Sequence, residues 1–283
     1  MKKTAPRKGA SSPKSVTASA KGNKTPKIIS VINQKGGVGK TTTTLNLGAG
    51  LAIKGLKVLI IDLDIQCNLT HCAIGEIAEG EAGVCEALLD FSSFDSVIKE
   101  TATKNLFIVP AGESLVELDT NLAHEADGAR ILSVALNNTK ALGEFDVVLI
   151  DNPPFISLTT MNSLIASDYY LVPLSCEYLP MLGIKWLEKT IAKVKKRSNP
   201  KLQNLGVALT MFDPRQSITK SVEQLVRDEL DDLVFETKIR VNTKAKSAPI
   251  AHQTIFQLEG SKSGKGTEDY TALTGEVIRR LGL

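Results

Sequence analysis

Residues 27–53 read KIISVINQKGGVGKTTTTLNLGAGLAI. The first seven form a short β-branched run, which predicts a buried strand. Three glycines then interrupt the pattern, and residues 40–53 carry apolar side chains at helical spacing before a Lys-Gly stop at residues 54–55. A strand, a glycine-rich loop and a helix form the context in which Gly-Lys-Thr binds phosphate. This segment therefore predicts both the fold class and a nucleotide-binding site.

The residue types of the loop suit phosphate chemistry. Its glycines allow the backbone to turn N–H groups toward phosphate oxygens, and the helix N-terminus adds its positive dipole end. The lysine of Gly-Lys-Thr is expected to reach the β- and γ-phosphates, and the threonine hydroxyl to bind Mg²⁺. ATP and Mg²⁺ are thus the predicted cofactors. The predicted ATP-binding residues in this segment are Gly36, Gly37, Val38, Gly39, Lys40, Thr41 and Thr42.

Beyond the loop, strand-like apolar runs alternate with helix-like segments. The predicted strands are residues 57–61, 106–109, 145–150, 170–174, 205–210 and 234–238, and the predicted helices include residues 128–142, 157–166, 182–197 and 218–230. Such alternation predicts a doubly wound α/β fold, with a mostly parallel sheet covered by helices on both faces. We expect one domain of the P-loop NTPase type over residues 27–283, with its ligands at the carboxyl edge of the sheet.

The N-terminal segment has a different composition. Residues 1–26 are rich in Lys, Ser, Ala, Thr and Pro and nearly lack large apolar groups, which predicts a disordered basic tail. Residues 1–27 hold eight of the 34 Lys and Arg residues and none of the 31 Asp and Glu residues, so the remainder of the chain is acidic. The tail either lies on DNA or another acidic surface, or it only keeps the chain soluble.

The bulk composition favours a cytoplasmic protein. We find no apolar run near the roughly 18 residues that a membrane span requires, and no apolar stretch behind the basic start that would make it a secretory signal. The four cysteines form no Cys-x-x-Cys pair, so neither a disulfide framework nor a zinc site is indicated.

The phosphate loop departs from the standard pattern in one informative way. Gln34 stands where the usual first glycine would be, and Lys35 precedes the glycines. This resembles the deviant Walker A loop of the ParA/MinD family, most closely the ParA/Soj-type partition ATPases without an N-terminal DNA-binding domain. In that family the added lysine reaches the nucleotide of the other subunit. The resemblance therefore implies a homodimer in the ATP state, with Lys35 completing the partner's phosphate site.

Two acidic segments extend the resemblance. Residues 62–68 (DLDIQCN) resemble the family's switch segment, which implies that Asp64 positions the attacking water and that Asp62 supports Mg²⁺. Residues 145–154 (FDVVLIDNPP) resemble the Walker B strand, which implies that Asp151 is an acid linked to Mg²⁺. The predicted metal residues are Thr41, Asp62 and Asp151, and the predicted catalytic residues are Lys35, Lys40 and Asp64.

Two later stretches resemble the family's adenine-binding segments. Residues 209–215 (LTMFDPR) and 239–249 (IRVNTKAKSAP) imply Met211 and Asn242 as ATP-binding residues.

Three positions depart from the family pattern without removing a phosphate or metal ligand. Ile65 replaces a proline, Asn152 a serine and Ser247 a glutamate. These departures leave the switch geometry, the subfamily and the cargo open.

A cluster of basic residues predicts a DNA-binding surface. Residues 185–201 contain seven Lys or Arg against one acid, and several of the lysines share a helix face. Lys193 and Arg215 match positions where relatives carry basic residues for non-specific DNA binding, which works by phosphate contact without base reading. A plain solvated helix face is the alternative. The predicted DNA-binding residues are Lys185, Lys189, Lys193, Lys196, Arg197, Arg215, Lys220, Arg240, Lys244 and Lys246.

The resemblance as a whole implies an ATPase that positions a chromosome, a plasmid or another cargo on nucleoid DNA. A ParB-like or cargo-adaptor protein is expected to stimulate hydrolysis. A MinD-like membrane-cycling ATPase is one alternative, but the C-terminal stripe within residues 270–283 has only two basic residues, so no membrane partner is expected. An ATP-dependent small-molecule ligase on the same fold is the other, although it would not need Lys35 or the basic helix.

Overall fold

The computed structural model describes residues 24–283, except residues 79, 91, 113, 126, 177–179 and 261–263 and the side chains of residues 116, 180–182, 246 and 249. Most of the predicted disordered tail, residues 1–23, lies outside the described part, so its disorder stays a prediction.

The secondary structure follows the predicted alternation. The strands are β1 (Lys27–Val31), β2 (Val58–Asp62), β3 (Lys99–Glu100), β4 (Leu106–Val109), β5 (Val147–Asp151), β6 (Tyr169–Ser175), β7 (Gln203–Phe212) and β8 (Val234–Arg240). The helices are α1 (Lys40–Ile53), α2 (Asn68–Ile74), α3 (Val84–Leu89), α4 (Leu115–His124), α5 (Ile131–Asn138), α6 (Leu158–Ala166), α7 (Pro180–Arg197), α8 (Ser217–Leu230), α9 (Thr243–Ala251), α10 (Ile255–Glu259) and α11 (Lys265–Leu281).

The described strands form one sheet in the order β3-β4-β2-β5-β1-β6-β7-β8. Every pair is parallel except β3–β4, which is antiparallel. The predicted doubly wound, mostly parallel α/β sheet is therefore confirmed. Because β1, β2 and β5 are neighbours, the ends of the strands that carry the phosphate loop and the two acidic segments meet at the same edge.

Side chains of successive strand residues pack on opposite faces of the sheet. Val58 and Ile60 belong to a core that includes α1 and α11, whereas Leu59 and Ile61 belong to a core that includes α3, α4 and α5. A third core lies between β6 and β7 and the helices α6, α7 and α8. Each fully buried aliphatic side chain contributes roughly 1.5–3 kcal/mol to folding. The packing of helices on both faces therefore stabilises the sheet.

The C-terminal helix α11 belongs to the core that also includes α1. Tyr270, Leu273, Val277 and Leu281 of α11 are each at most 6% exposed and lie in the same cluster as residues of α1. The apolar stripe of this helix is therefore packed against the sheet. Within the described part of the chain, no helix combines the length and apolar character needed to cross a membrane.

One predicted helix is shorter in the structure. The helix expected over residues 128–142 is reduced to α5, with 3₁₀ turns at Gly128–Arg130 and Lys140–Glu144. Thr139 ends α5 in an extended conformation. Its hydroxyl donates to the Ala135 carbonyl at 2.8 Å and accepts from the Phe94 N–H at 2.9 Å. This side-chain bonding competes with helix continuation.

Candidate nucleotide-binding site

The loop between β1 and α1 is fixed to neighbouring strands. Gly37 and Gly39 adopt φ angles of +73° and +88°, a left-handed conformation that costs glycine little. The Thr210 hydroxyl of β7 donates to the Val38 carbonyl at 2.8 Å, and the Asn33 amide donates to the Pro173 carbonyl of β6 at 2.7 Å. The loop is thus held directly before the N-terminus of α1, as anion binding requires.

The two lysines of the loop lie in different environments. Lys40 is 6% exposed, and its Nζ donates to the Lys35 carbonyl at 3.4 Å. Burial lowers the pKa of Lys40, while the charges of Asp151 and Asp64 oppose that shift. The Lys35 side chain is exposed, and its backbone N–H donates to Asn33 Oδ1 at 3.0 Å. Lys40 therefore points into its own site, whereas Lys35 lies at the surface beside it.

Asp151 is held at the end of β5 by the first turns of α1. Its carboxylate is fully buried and accepts from the Thr41 hydroxyl at 2.7 Å and the Thr44 hydroxyl at 3.3 Å. Asp62 is its register partner on β2 and is also fully buried. The predicted metal residues Thr41, Asp62 and Asp151 are thus brought to one place.

The switch segment is ordered by its own acids. Asp62 Oδ2 accepts from both the N–H and the hydroxyl of Thr70 at 2.8 Å, and Asp62 Oδ1 accepts from the Asp64 N–H at 3.1 Å. Asp64 is 6% exposed, and its Oδ1 accepts from the Gln66 N–H at 3.1 Å. The Thr70 hydroxyl also accepts from the Ala111 N–H at 2.9 Å, which connects this segment to the end of β4.

The acid pair is electrostatically suited to a cation. Burial, with the neighbouring acid adding to it, raises the pKa of Asp151 to about 8. Burial also raises the pKa of Asp62 to about 6. Buried carboxylates are costly unless a cation compensates them. Among the residues that the structure describes, no group of three or more His, Cys, Asp or Glu could hold a metal alone. Mg²⁺, which typically takes few protein ligands and completes its shell with phosphate and water, fits this donor set.

A cavity of about 610 Å³ extends from the phosphate loop between β7, β8 and α11. Gly39 and Thr42 line its phosphate end, and Ile239 and Tyr270 contribute to its apolar wall. The predicted base-binding residues Met211 and Asn242 both line it. Its volume and mostly apolar lining suit a small organic ligand.

The Asn242 amide has a fixed orientation in this cavity. Its Nδ2 donates to Glu259 Oε1 at 2.9 Å, and its Oδ1 accepts from the Lys244 N–H at 2.8 Å. Glu259 is 8% exposed and also accepts from the Thr267 N–H at 2.7 Å at the start of α11. A Cβ at Gly266 would lie 2.6 Å from Asn242 Nδ2, so glycine is required there. Sequence reasoning missed Glu259, because no motif or spacing in the chain marks it.

The predicted DNA-binding residues fall into two groups. Those of α7 are exposed: Lys185, Lys189, Lys193, Lys196 and Arg197. The others follow or end β7 and β8: Arg215, Lys220, Arg240, Lys244 and Lys246. The DNA-binding role of both groups stays a prediction.

Members of the second group differ in their partners. Arg215 is exposed and pairs with Asp213 at 2.8 Å. Arg240 is half-buried and pairs with Asp269 at 2.6 Å and with Glu268 at 2.9 Å, so its guanidinium is engaged within the fold. Lys220 and Lys244 are exposed, and the Lys246 side chain lies outside the described residues.

Residues 26–204 match a family model described as an AAA domain. The chain is 38% identical over 255 residues to the sporulation initiation inhibitor protein Soj of Bacillus subtilis. The aligned region covers 89% of this chain and 98% of that protein. It is 34% identical to the chromosome partitioning protein ParA of Caulobacter vibrioides, covering 90% of this chain and 94% of that protein. The chain belongs to the ParA/MinD family of partition ATPases.

Solved structures agree with this ParA/MinD fold. Cobyrinic acid a,c-diamide synthase from Mycobacterium smegmatis, with bound ADP and magnesium, superposes with a TM-score of 0.78 at 30% identity, covering 91% of this chain and 96% of that one. Apo McdA from Cyanothece has a TM-score of 0.78 at 24% identity over 90% and 99% of the two chains, which shows a likeness of fold. ATP and Mg²⁺ are the cofactors that the site of this ParA/MinD chain accommodates.

Proposed function

We propose that this chain is a ParA-type ATPase that forms an ATP-dependent sandwich dimer, binds DNA non-specifically and positions a chromosome, a plasmid or another cargo. The contrast between the two lysines of the phosphate loop carries the proposal. Lys40 is 6% exposed and serves its own site, whereas Lys35 is exposed at the rim. A cation exposed at that rim is within reach of the nucleotide of a second copy, which would couple ATP binding to dimerisation.

Within one subunit, we assign a separate role in ATP hydrolysis to each of the site residues. Lys40 would bind the β- and γ-phosphates, and Thr41 and Asp151 would hold Mg²⁺, with Asp62 supporting the metal site. Mg²⁺, when bound, neutralises charge on the phosphate oxygens. Asp64 orients a water for attack on the γ-phosphorus, and the bond to the β–γ bridging oxygen breaks to give ADP and phosphate. Intrinsic turnover is slow, because the site has few cations of its own.

Exposed apolar residues support a dimer that closes over this edge. Ile65 in the switch segment is 37% exposed, and Phe155 and Ile156, shortly after Asp151, are 45% and 37% exposed. They follow β2 and β5 directly, beside the acids, where a second copy in the sandwich would cover them. Burial of such residues favours association.

DNA and a cargo partner complete the cycle. The ATP dimer binds nucleoid DNA through the α7 cations. A ParB-like or cargo-adaptor protein stimulates hydrolysis, and hydrolysis releases the dimer from the DNA. The name of the chromosome partitioning protein ParA of Caulobacter vibrioides supports a role in partition. The protein would then be cytoplasmic and nucleoid-associated.

A small-molecule ligase is the second candidate, favoured by the 30% identity to cobyrinic acid a,c-diamide synthase. One experiment separates the two functions. Phosphate release from ATP and Mg²⁺ is measured with and without duplex DNA, in the absence of any carboxylate substrate. Slow turnover that DNA and a cargo partner accelerate supports the partition function. Turnover that requires an added carboxylate and amine donor supports the ligase.

A further inference from the structure

One large aromatic side chain is exposed among the cations of α7. Trp186 is 63% exposed, and it is the single tryptophan of the 283-residue sequence. The Nζ atom of Lys189 lies over its ring, 5.4 Å from the centroid. An ammonium group at this distance is attracted by the indole face, which favours this arrangement of charge and ring.

Helix geometry places Trp186 within the cationic face rather than at the edge of the core. At 3.6 residues per turn, Lys189, Lys193 and Arg197 lie within roughly 60° of Trp186 around the helix axis. We call these four residues the aromatic–cation face. All four are exposed. The buried side of α7 supplies Leu187, Ile191 and Val194, which lie roughly 80–140° from Trp186 around the helix axis and are at most 4% exposed.

The composition of this face selects the kind of partner. A helix that inserts into a membrane surface needs a broad apolar face, but Leu187, Ile191 and Val194 of α7 are already packed in the core between α6, α8 and the sheet. Pairing of this face with the same face of a second copy would oppose like charges. A nucleic acid can contact both the cations and the aromatic ring of this face. Its phosphates attract the lysines, and its bases have flat apolar surfaces that can stack on the indole.

We propose that Trp186 is a stacking site for an unpaired nucleobase, so that the aromatic–cation face binds single-stranded or locally unpaired DNA more tightly than paired duplex. The inference rests on the proposed binding of DNA by α7. In duplex DNA the bases are already stacked on one another, and the indole reaches only sugars and phosphates. Where a base is unpaired, it stacks on the indole while Lys189 and Lys193 contact the adjoining phosphates.

The single tryptophan makes the stacking directly observable. The full chain with ATP and Mg²⁺ is titrated with a 20-nucleotide single strand, with the matching duplex and with a duplex that contains a central bubble. We expect the Trp186 emission to be quenched strongly by the single strand and the bubble and weakly by the duplex. Emission that changes with ATP alone and not with DNA would place Trp186 in an interface between copies and overturn the inference.

Affinity measurements on variants give an independent test. Trp186→Ala is expected to weaken single-strand binding by between about 5- and 150-fold and to leave duplex binding nearly unchanged. Trp186→Phe should restore part of the single-strand affinity. The slope of log affinity against log salt should stay the same in Trp186→Ala, because that slope reports the number of phosphates bound. Lys195→Ala is the control, since it removes a charge from the same helix on the side away from Trp186.

The outcomes separate this inference from the proposed function. If Lys193→Glu weakens duplex binding but Trp186→Ala leaves single-strand binding and its preference over duplex unchanged, the stacking site is wrong and the DNA-binding function stands. If Lys193→Glu leaves all DNA binding unchanged, the binding of DNA by α7 is itself wrong.

Discussion

Thr41, in the first turn of α1, donates a 2.7 Å hydrogen bond to Asp151 at the end of β5. The residue that follows Lys40 is therefore joined to the acid of a neighbouring strand. Because Asp62 is the register partner of Asp151, the hydroxyl and the two carboxylates occupy one corner at the carboxyl edge of the sheet. Burial raises the pKa values of both carboxyls, so we expect this corner to respond to pH and to Mg²⁺.

The stability of the nucleotide-free protein should fall as pH rises above about 4. The pKa of Asp151 is raised from 3.8 to about 8 in the folded protein. Its contribution is fully present below the unfolded pKa and is lost as pH rises through the folded pKa, by at most about 1.4 kcal/mol per pH unit. Thermal unfolding in EDTA between pH 4 and pH 8 measures this loss. Asp151→Asn should show a flatter profile, and parallel profiles would contradict the assignment.

Glu259 should position Asn242 for base recognition. Glu259→Ala removes the acceptor that orients the Asn242 amide, so the KM for ATP should rise several-fold while kcat changes little. Stability should also fall by about 1–3 kcal/mol, because buried N–H groups lose their partner. Glu259→Gln keeps an acceptor, so its KM for ATP should be close to that of the native chain. A fall in kcat with an unchanged KM would show that Glu259 acts elsewhere.

Asp64 should be needed for hydrolysis and not for binding. Asp64→Ala removes the carboxylate that we propose orients the attacking water, so phosphate release should slow by about 10²-fold or more, while nucleotide affinity should stay close to that of the native chain. The ATP-bound protein should then remain on DNA in a sedimentation assay. Normal phosphate release by this variant would place the water-orienting group at another residue.

The α7 cations should determine the salt dependence of duplex binding. Lys193→Glu should weaken binding and reduce the log–log salt slope by about 0.9 for each DNA phosphate that the variant no longer binds. Lys104→Glu makes the same charge change at an exposed residue just before β4, which is separated from β6 by three strands of the sheet, and serves as the control. Equal effects of the two substitutions would mean that net charge, not a defined surface, governs DNA binding.

The strands and the phosphate loop were predictable because their signals are local. The β-branched run of β1, the three glycines and the helical spacing after Lys40 are all contained in 27 consecutive residues. The predicted helix over residues 40–53 has the same bounds in the structure. The acids Asp62 and Asp151 were also recognisable, because each ends an apolar strand.

Other features depend on interactions between distant parts of the chain. The short helices α2, α3, α9 and α10 have five to nine residues, too few to show a clear periodicity. Glu259 reaches Asn242 across 17 residues of chain, and no local pattern marks such a pair. Trp186 has no sequence signal that separates it from a core residue, and only its exposure in the folded chain shows that it belongs to the cationic face.

The central claim is that Lys35 acts on the nucleotide of a second subunit. The most direct test measures the mass of the chain in solution with ATP and Mg²⁺, in an Asp64→Ala background that preserves the ATP. The parent should be a dimer, and Lys35→Ala should bind ATP yet remain a monomer, whereas Lys40→Ala should not bind ATP at all. A Lys35→Ala protein that dimerises with ATP as fully as its parent would contradict the account.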